Sequence, residues 1–354
     1  MSFDWISDAV PSPSTEHRNR ALARQAQLTK PTGALGRLED VAVELAALQR
    51  RDRPMAEQVP VLVFAGDHGV TAQGISAYPQ EVTVQMLHNF AGGGAAIAVL
   101  ARELGLPLQV FDVGTLAEDA IAGVLTDKPC RGTRDISREA AMSESELAHA
   151  LSAGRRAIAE CPHADLVVLG EMGIGNTTVA SALACALTDL SPAQLVGAGT
   201  GLDEARIAHK CGVVKQALSL HRAALAGENA PAWEFLRRLG GLEIAAMAGA
   251  MIAAAQRGVP VVVDGFIVSV AALVAVKLQP RVRPWLLFSH QSAERGHAHV
   301  LTALQAQALL HLDLRLGEGS GGALAVPLLR LACALHNGMA TFEDAAVSNR
   351  EQAR

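Results

Sequence analysis

The chain of 354 residues predicts an α/β fold, a parallel sheet with helices on both faces, joined to a small helical domain. Three observations lead there. Half of the residues are hydrophobic but only 3% are aromatic, so the interior is built from Ala, Val and Leu, as where helices pack closely on a parallel sheet. Short β-branched or Leu/Val runs alternate with Ala/Leu-rich helical segments. The length exceeds that of a usual single core, which predicts one large domain with an appendage, or two domains.

Residues 15–50 predict helix, broken at KPTGALG (30–36), where Pro31, Gly33 and Gly36 make a loop. Strands are predicted at VPVLVF (59–64), LPLQVFDV (106–113), DLVVLG (165–170), VPVVVDG (259–265) and WLLFS (285–289), separated by Ala/Leu-rich helical segments. That alternation implies right-handed βαβ units. The α/β body is predicted over 50–320. The helices of 1–49 and the closing helix near 323–336 are left with apolar faces that need a partner, so 1–49 together with 321–354 are predicted to form the small helical domain.

A net charge of −5 with the signs well mixed gives no electrostatic reason for a nucleic-acid or anionic-membrane partner. Cysteines 130, 161, 185, 211 and 333 are odd in number and form no CxxC pair, which predicts neither a disulfide framework nor a zinc ribbon and suits a reducing cytoplasm. The N-terminus lacks a basic start with an apolar core, and the apolar runs at 244–255 and 265–276 are short for a bilayer, so a soluble, unexported protein with a small-molecule ligand is expected.

In open parallel sheets ligands bind beyond the carboxyl ends of the strands. The loops there read GDHGV (66–70), GEMGIGNTT (170–178), DGF (264–266) and SHQSAERGH (289–297), with GEGSGG (317–322) further on. GEMGIGNTT offers small residues, exposed N–H groups and hydroxyls to an anion, although a capped βα turn would use the same residues. It is neither a dinucleotide fingerprint nor a P-loop. A second glycine turn, GAGTG (197–201), makes a mononucleotide the better fit, and Lys210 is a candidate cation for its phosphate. Asp67, His68, His290, Glu294, His297 and His299 are candidate metal ligands or acid/base groups, but without H-E-x-x-H or comparable spacing they are expected to hydrogen-bond loops in place. Glu318 is a lone carboxylate among glycines before an apolar helix. There Ser320 is placed to cap the helix, and an apolar flank would raise the carboxylate's pKa toward that of a working base; a solvated turn residue is the alternative.

LTKPTGALGRLE (28–39), GDHGV (66–70), YPQEVTVQM (78–86), GGGAAI (92–97), GEMGIGNTT (170–178), FSHQSAERGH (288–297) and LGEGSGGALA (316–325) together resemble, in order, the motifs of the nicotinate mononucleotide:dimethylbenzimidazole phosphoribosyltransferases, which make the lower-ligand nucleotide of cobalamin. The resemblance implies that Glu318 is the catalytic base. It puts Glu171, Gly173, Gly175, Asn176, Thr177, Lys210 and Ser292 in the nucleotide site, with Gly319, Ser320 and Gly321 helping to hold the ribose phosphate. Ser76, Tyr78, Gln85 and Leu316 fall on segments resembling the benzimidazole pocket. A Rossmann-like large domain, a small helical domain from both chain ends and a homodimer are implied as well. No metal and no other cofactor is expected, because the sequence lacks the acidic pair and phosphate loop of phosphoribosyl pyrophosphate users. A metal-dependent hydrolase built on Asp67, His68 and the 290–299 histidines, and a non-catalytic nucleotide-binding protein, are the competing readings.

Overall fold

The computed structural model describes residues 3–188, 190–199, 201–226 and 230–348; Thr200 of the second glycine turn and the last six residues of the predicted helical domain lie outside the described residues. Six strands form: β1 (Val61–Gly66), β2 (Leu108–Gly114), β3 (Leu125–Thr126), β4 (Val167–Met172), β5 (Val261–Val263) and β6 (Leu286–Phe288). All pair in parallel, in the order β3-β2-β1-β4-β5-β6, the order of doubly wound nucleotide-binding sheets. Five coincide with the predicted runs. β3 is two residues on the outer edge with Leu125 exposed, too short to leave an alternating pattern in the sequence.

Alternation sorts each strand between two cores. Leu62, Phe64, Val167, Leu169, Val261 and Val263 face one cluster, and Val61, Val63, Ala65, Val168 and Val262 the other. Both faces are therefore apolar, which is why the strands appear as continuous hydrophobic runs.

The helices, in chain order, are α1 (Thr15–Gln27), α2 (Arg37–Gln49), α3 (Val82–Ala91), α4 (Ala96–Leu104), α5 (Glu144–Ala159), α6 (Asn176–Thr188), α7 (Pro192–Leu195), α8 (Glu204–Leu225), α9 (Ala232–Leu239), α10 (Leu242–Gln256), α11 (Phe266–Leu278), α12 (His297–Ala303) and α13 (Ser320–Gly338). The first face is covered by α5, α6, α10 and α11, and Trp5 and Ile6 of the N-terminal segment are buried in the same cluster. On the other face, Val41, Ala42 and Leu45 of α2 and Val326, Leu329 and Ala332 of α13 pack with the strand residues. The chain ends are tied together. The Arg24 guanidinium donates to the carbonyls of His336, Asn337 and Met339, and Leu28 bridges Thr341 in antiparallel fashion.

Small residues let α5 and α10 pack closely. A Cβ on Gly154 would run into the Ala246 carbonyl, and one on Gly249 into that of Leu151. Gly154→Ala should accordingly destabilise by about 1–3 kcal/mol, as overpacking does, despite the better helix propensity of Ala. Urea unfolding with an unchanged slope and a lower midpoint checks this.

Candidate active site

Three consecutive residues, Gly317 (φ 90°), Glu318 (φ 65°) and Gly319 (φ 84°), take left-handed backbone just before α13. For the two glycines this is free, but for Glu318 it costs roughly 1–2 kcal/mol, so the surroundings must hold it. Asp264, just past β5, does so. Its buried carboxylate accepts the Gly319 N–H at 3.2 Å and the Gly322 N–H at 2.8 Å. The first N–H groups of a helix have no partner within it, and the N-cap Gly319 has no side chain to offer, so Asp264 caps α13 from another strand. Ser320 is the first helical residue and makes no capping bond. The expectation that it caps the helix is corrected, because the left-handed turn moves the cap to Gly319.

Glu318 is only 5% exposed. Its Oε2 accepts one long hydrogen bond, from the Ile97 N–H at 3.4 Å. Burial lifts its pKa above the usual carboxylate range, and that single N–H opposes the shift only in part.

Glu171, at the end of β4, is also buried and accepts a hydrogen bond from the Asn176 side chain. Burial raises its pKa well above normal, and the neighbouring Asp264, Glu243 and Glu318 carboxylates raise it further. Asp264 is pushed up to about 7 by burial, although the amides it accepts favour its anion. Between β4 and α6, Gly173 lies so close to Gly66 that a Cβ would strike the Gly66 carbonyl and stand 3.1 Å from the His68 ring. Asn176 and Thr177 open α6, and Thr177 accepts from the Lys210 ammonium at 2.7 Å. Lys210 is 1% exposed; burial lowers its pKa to about 8, with the Glu294 charge pulling the other way.

These groups surround a cavity of about 350 Å³ at the carboxyl ends of the strands. Tyr78, Val82, Met86, Phe266, Ile267 and Leu316 contribute apolar lining, together with Glu171, Gly173, Asn176, Thr177, Ser292 and Glu318. Lys210 stands behind Thr177. Several predicted residues lie elsewhere. Gly175 packs toward Thr71 and Ile75. Ser76 accepts the Tyr78 N–H at 3.2 Å, and exposed Gln85 borders a separate groove with Leu116 and Glu118. Gly319, Ser320 and Gly321 turn inward, the first and last toward Asp264 and His290, while the buried Ser320 hydroxyl has no partner among the described residues.

The Asp67, His68 and 290–299 groups do not converge. His68 is fully buried with Nε2 3.0 Å from Glu243 Oε1, and His297 accepts the Ser292 N–H at 2.7 Å while its other nitrogen meets the Ser269 hydroxyl at 2.9 Å. Among the described residues no three His, Cys, Asp or Glu side chains are grouped to hold a metal ion. Ile267, Arg315 and Glu243 escaped sequence reasoning, and Asp264 and Phe266 were noted only as part of the DGF loop, with no role assigned to either. The signals were an Asp opening the DGF loop after a strand, and a lone Glu heading an otherwise apolar helix.

A family model described as Phosphoribosyltransferase matches residues 10–347. The chain is 65% identical over 353 residues to a nicotinate-nucleotide–dimethylbenzimidazole phosphoribosyltransferase of Bradyrhizobium sp. (strain ORS 278), covering 99% of this chain and 100% of that one. It is 58% identical to the protein of the same name from Pseudomonas aeruginosa PAO1, covering 99% of each. A crystal structure so named from Thermus thermophilus superimposes with a TM-score of 0.88 at 44% identity, over 95% of this chain and 99% of that chain.

Proposed function

The chain belongs to the nicotinate-nucleotide–dimethylbenzimidazole phosphoribosyltransferase family, and we propose that Glu318 is the base of its reaction. The enzyme transfers the phosphoribosyl group of nicotinate mononucleotide to dimethylbenzimidazole, giving nicotinate and α-ribazole phosphate for the lower ligand of cobalamin. The leaving nitrogen of the donor is a cationic pyridinium, so it departs neutral and needs no general acid. The incoming base bonds through one nitrogen to the anomeric carbon while its other nitrogen loses a proton, which Glu318 accepts. Attack opposite the nicotinate inverts the β-riboside to an α-riboside.

What carries this reading is Glu318 itself, a buried carboxylate with a raised pKa at the cavity wall. The apolar lining of Tyr78, Val82, Met86, Phe266 and Leu316 suits a planar benzimidazole. Gly173 in the β4–α6 loop and Asn176 and Thr177 at the start of α6, with Lys210 behind Thr177, suit the phosphate. Incubation with nicotinate mononucleotide and a panel of bases should release nicotinate and form an α-ribotide. Tight nucleotide binding without turnover against any base would instead favour a binding protein.

Lys210→Met should raise the KM for nicotinate mononucleotide more than it lowers kcat, as loss of largely uniform binding does. Because the ammonium loses its proton near pH 8, the wild-type KM should rise as pH passes about 8, and the variant should lose that dependence. An unchanged KM removes Lys210 from the site.

A homodimer is part of the same reading. Leu22 on α1 and Leu331 on α13 are both more than half exposed, so the helices of the chain ends carry apolar surface. Sedimentation at micromolar concentration should give the dimer mass; an active monomer would refute it. All five cysteines are free, which suits a cytoplasmic setting.

A further inference from the structure

We propose that Asp264 is a positioning residue that sets the direction of Glu318 by holding the backbone on its C-terminal side. The inference rests on the reading of Glu318 as the base. Glu318 lies in left-handed backbone between two left-handed glycines, a stretch with no intrinsic preference for one orientation. Among the described residues its own side chain is tied only by the 3.4 Å bond from Ile97. The Ser320 N–H closes the turn on the Gly317 carbonyl at 3.0 Å, and the two bonds to Asp264, at Gly319 and Gly322, anchor that turn and the start of the 19-residue helix to the end of β5.

Asp264 is 1% exposed, whereas its neighbours Gly265 and Phe266 line the cavity. Substrate therefore meets the turn that Asp264 holds. A helix cap alone would be supplied more simply by a Ser or Asp at the N-cap, but that position is a glycine in left-handed backbone. Drawing the cap from the end of β5 couples the base to a fully buried strand of the sheet. Gly317 is constrained from the other side, since a Cβ there would collide with the Glu171 carboxylate.

The test compares Asp264→Asn, Glu318→Gln and the double variant by kcat, KM for each substrate and thermal unfolding. The amide keeps one acceptor oxygen but turns an N–H toward a backbone N–H, so the turn should shift. Misplacing a reacting group by about 1 Å costs up to roughly 100-fold, so Asp264→Asn should lower kcat by about 10- to 100-fold. The KM for nicotinate mononucleotide should stay within about threefold. If Asp264 acts through Glu318, the double variant should be no slower than Glu318→Gln alone. Independent structural damage would instead multiply the two losses and overturn the proposal, as would a kcat for Asp264→Asn within about threefold of wild type. Asp264→Ser, smaller and able to admit water, serves if the Asn variant does not fold. Near-normal turnover by Glu318→Gln alone would refute the base and this role together; an impaired Glu318→Gln beside a normal Asp264→Asn would refute only the positioning role.

Discussion

Glu318→Gln should lower kcat by roughly 10²–10⁴, the range for loss of a general base, and change substrate affinity little. The substitution keeps size and hydrogen bonding and removes basicity. A solvated turn residue would give near-normal turnover, but Glu318 is 5% exposed, so that alternative has lost its premise. The pH profile gives a second check. The carboxylate accepts a proton only when ionised, and burial raises its pKa, so the wild-type rate should climb with pH through that raised value and then level off. Glu318→Gln should lose this rise. A phenolic or more acidic benzimidazole acceptor sheds its proton more readily and should recover part of the lost rate. Close to wild-type turnover of dimethylbenzimidazole would refute the assignment, and Glu171, the other buried carboxylate on the cavity, would be tested next.

Which features were legible follows from whether the cause was local. Val61–Gly66 and Val167–Met172 were visible as strands because they are buried on both faces, so nearly every side chain is apolar. Leu125–Thr126 carries no such signature, since one register pair on each residue is all that makes it a strand. Glu171, Asn176, Thr177 and Glu318 stood inside motifs with chemical meaning, and they do line one cavity. Asp264 acts on Gly319 and Gly322 across more than fifty residues, and only the fold brings them together. Gln85 shares its segment with Val82 and Met86, but the helix turns those two to the cavity and Gln85 to solvent, a distinction the loop before α3 leaves open in the sequence. The same limit applies to Lys210. A lysine in a 22-residue helix is usually solvated, yet here it is buried against Thr177.

His68→Ala should be the most destabilising single truncation beneath the site, by about 3–5 kcal/mol, the cost of stripping one partner from a buried ion pair. His68 and Glu243 are both 0% exposed with Nε2 and Oε1 3.0 Å apart. Burial opposes the imidazolium charge, but the attraction of the Glu243 carboxylate, helped by Asp67, outweighs it and leaves the His68 pKa above normal. Removing His68 leaves Glu243 without a cation and facing Glu171, whose ionisation it already opposes. Glu243→Gln is the informative contrast. The imidazole can then shed its proton and remain neutral, so the loss should be smaller, about 1–2 kcal/mol. The pH dependence separates the two further. A histidine whose folded pKa lies above its unfolded value of about 6.5 contributes stability that is complete below that value and is lost as pH rises through the folded one. Wild-type stability should therefore fall from pH 6 to pH 9, and Glu243→Gln should flatten the share due to His68. Urea unfolding of the three proteins at both pH values decides it. Equal losses for the two variants, or a loss under about 1 kcal/mol for His68→Ala, would mean that His68 and Glu243 do not form an ion pair in the folded protein.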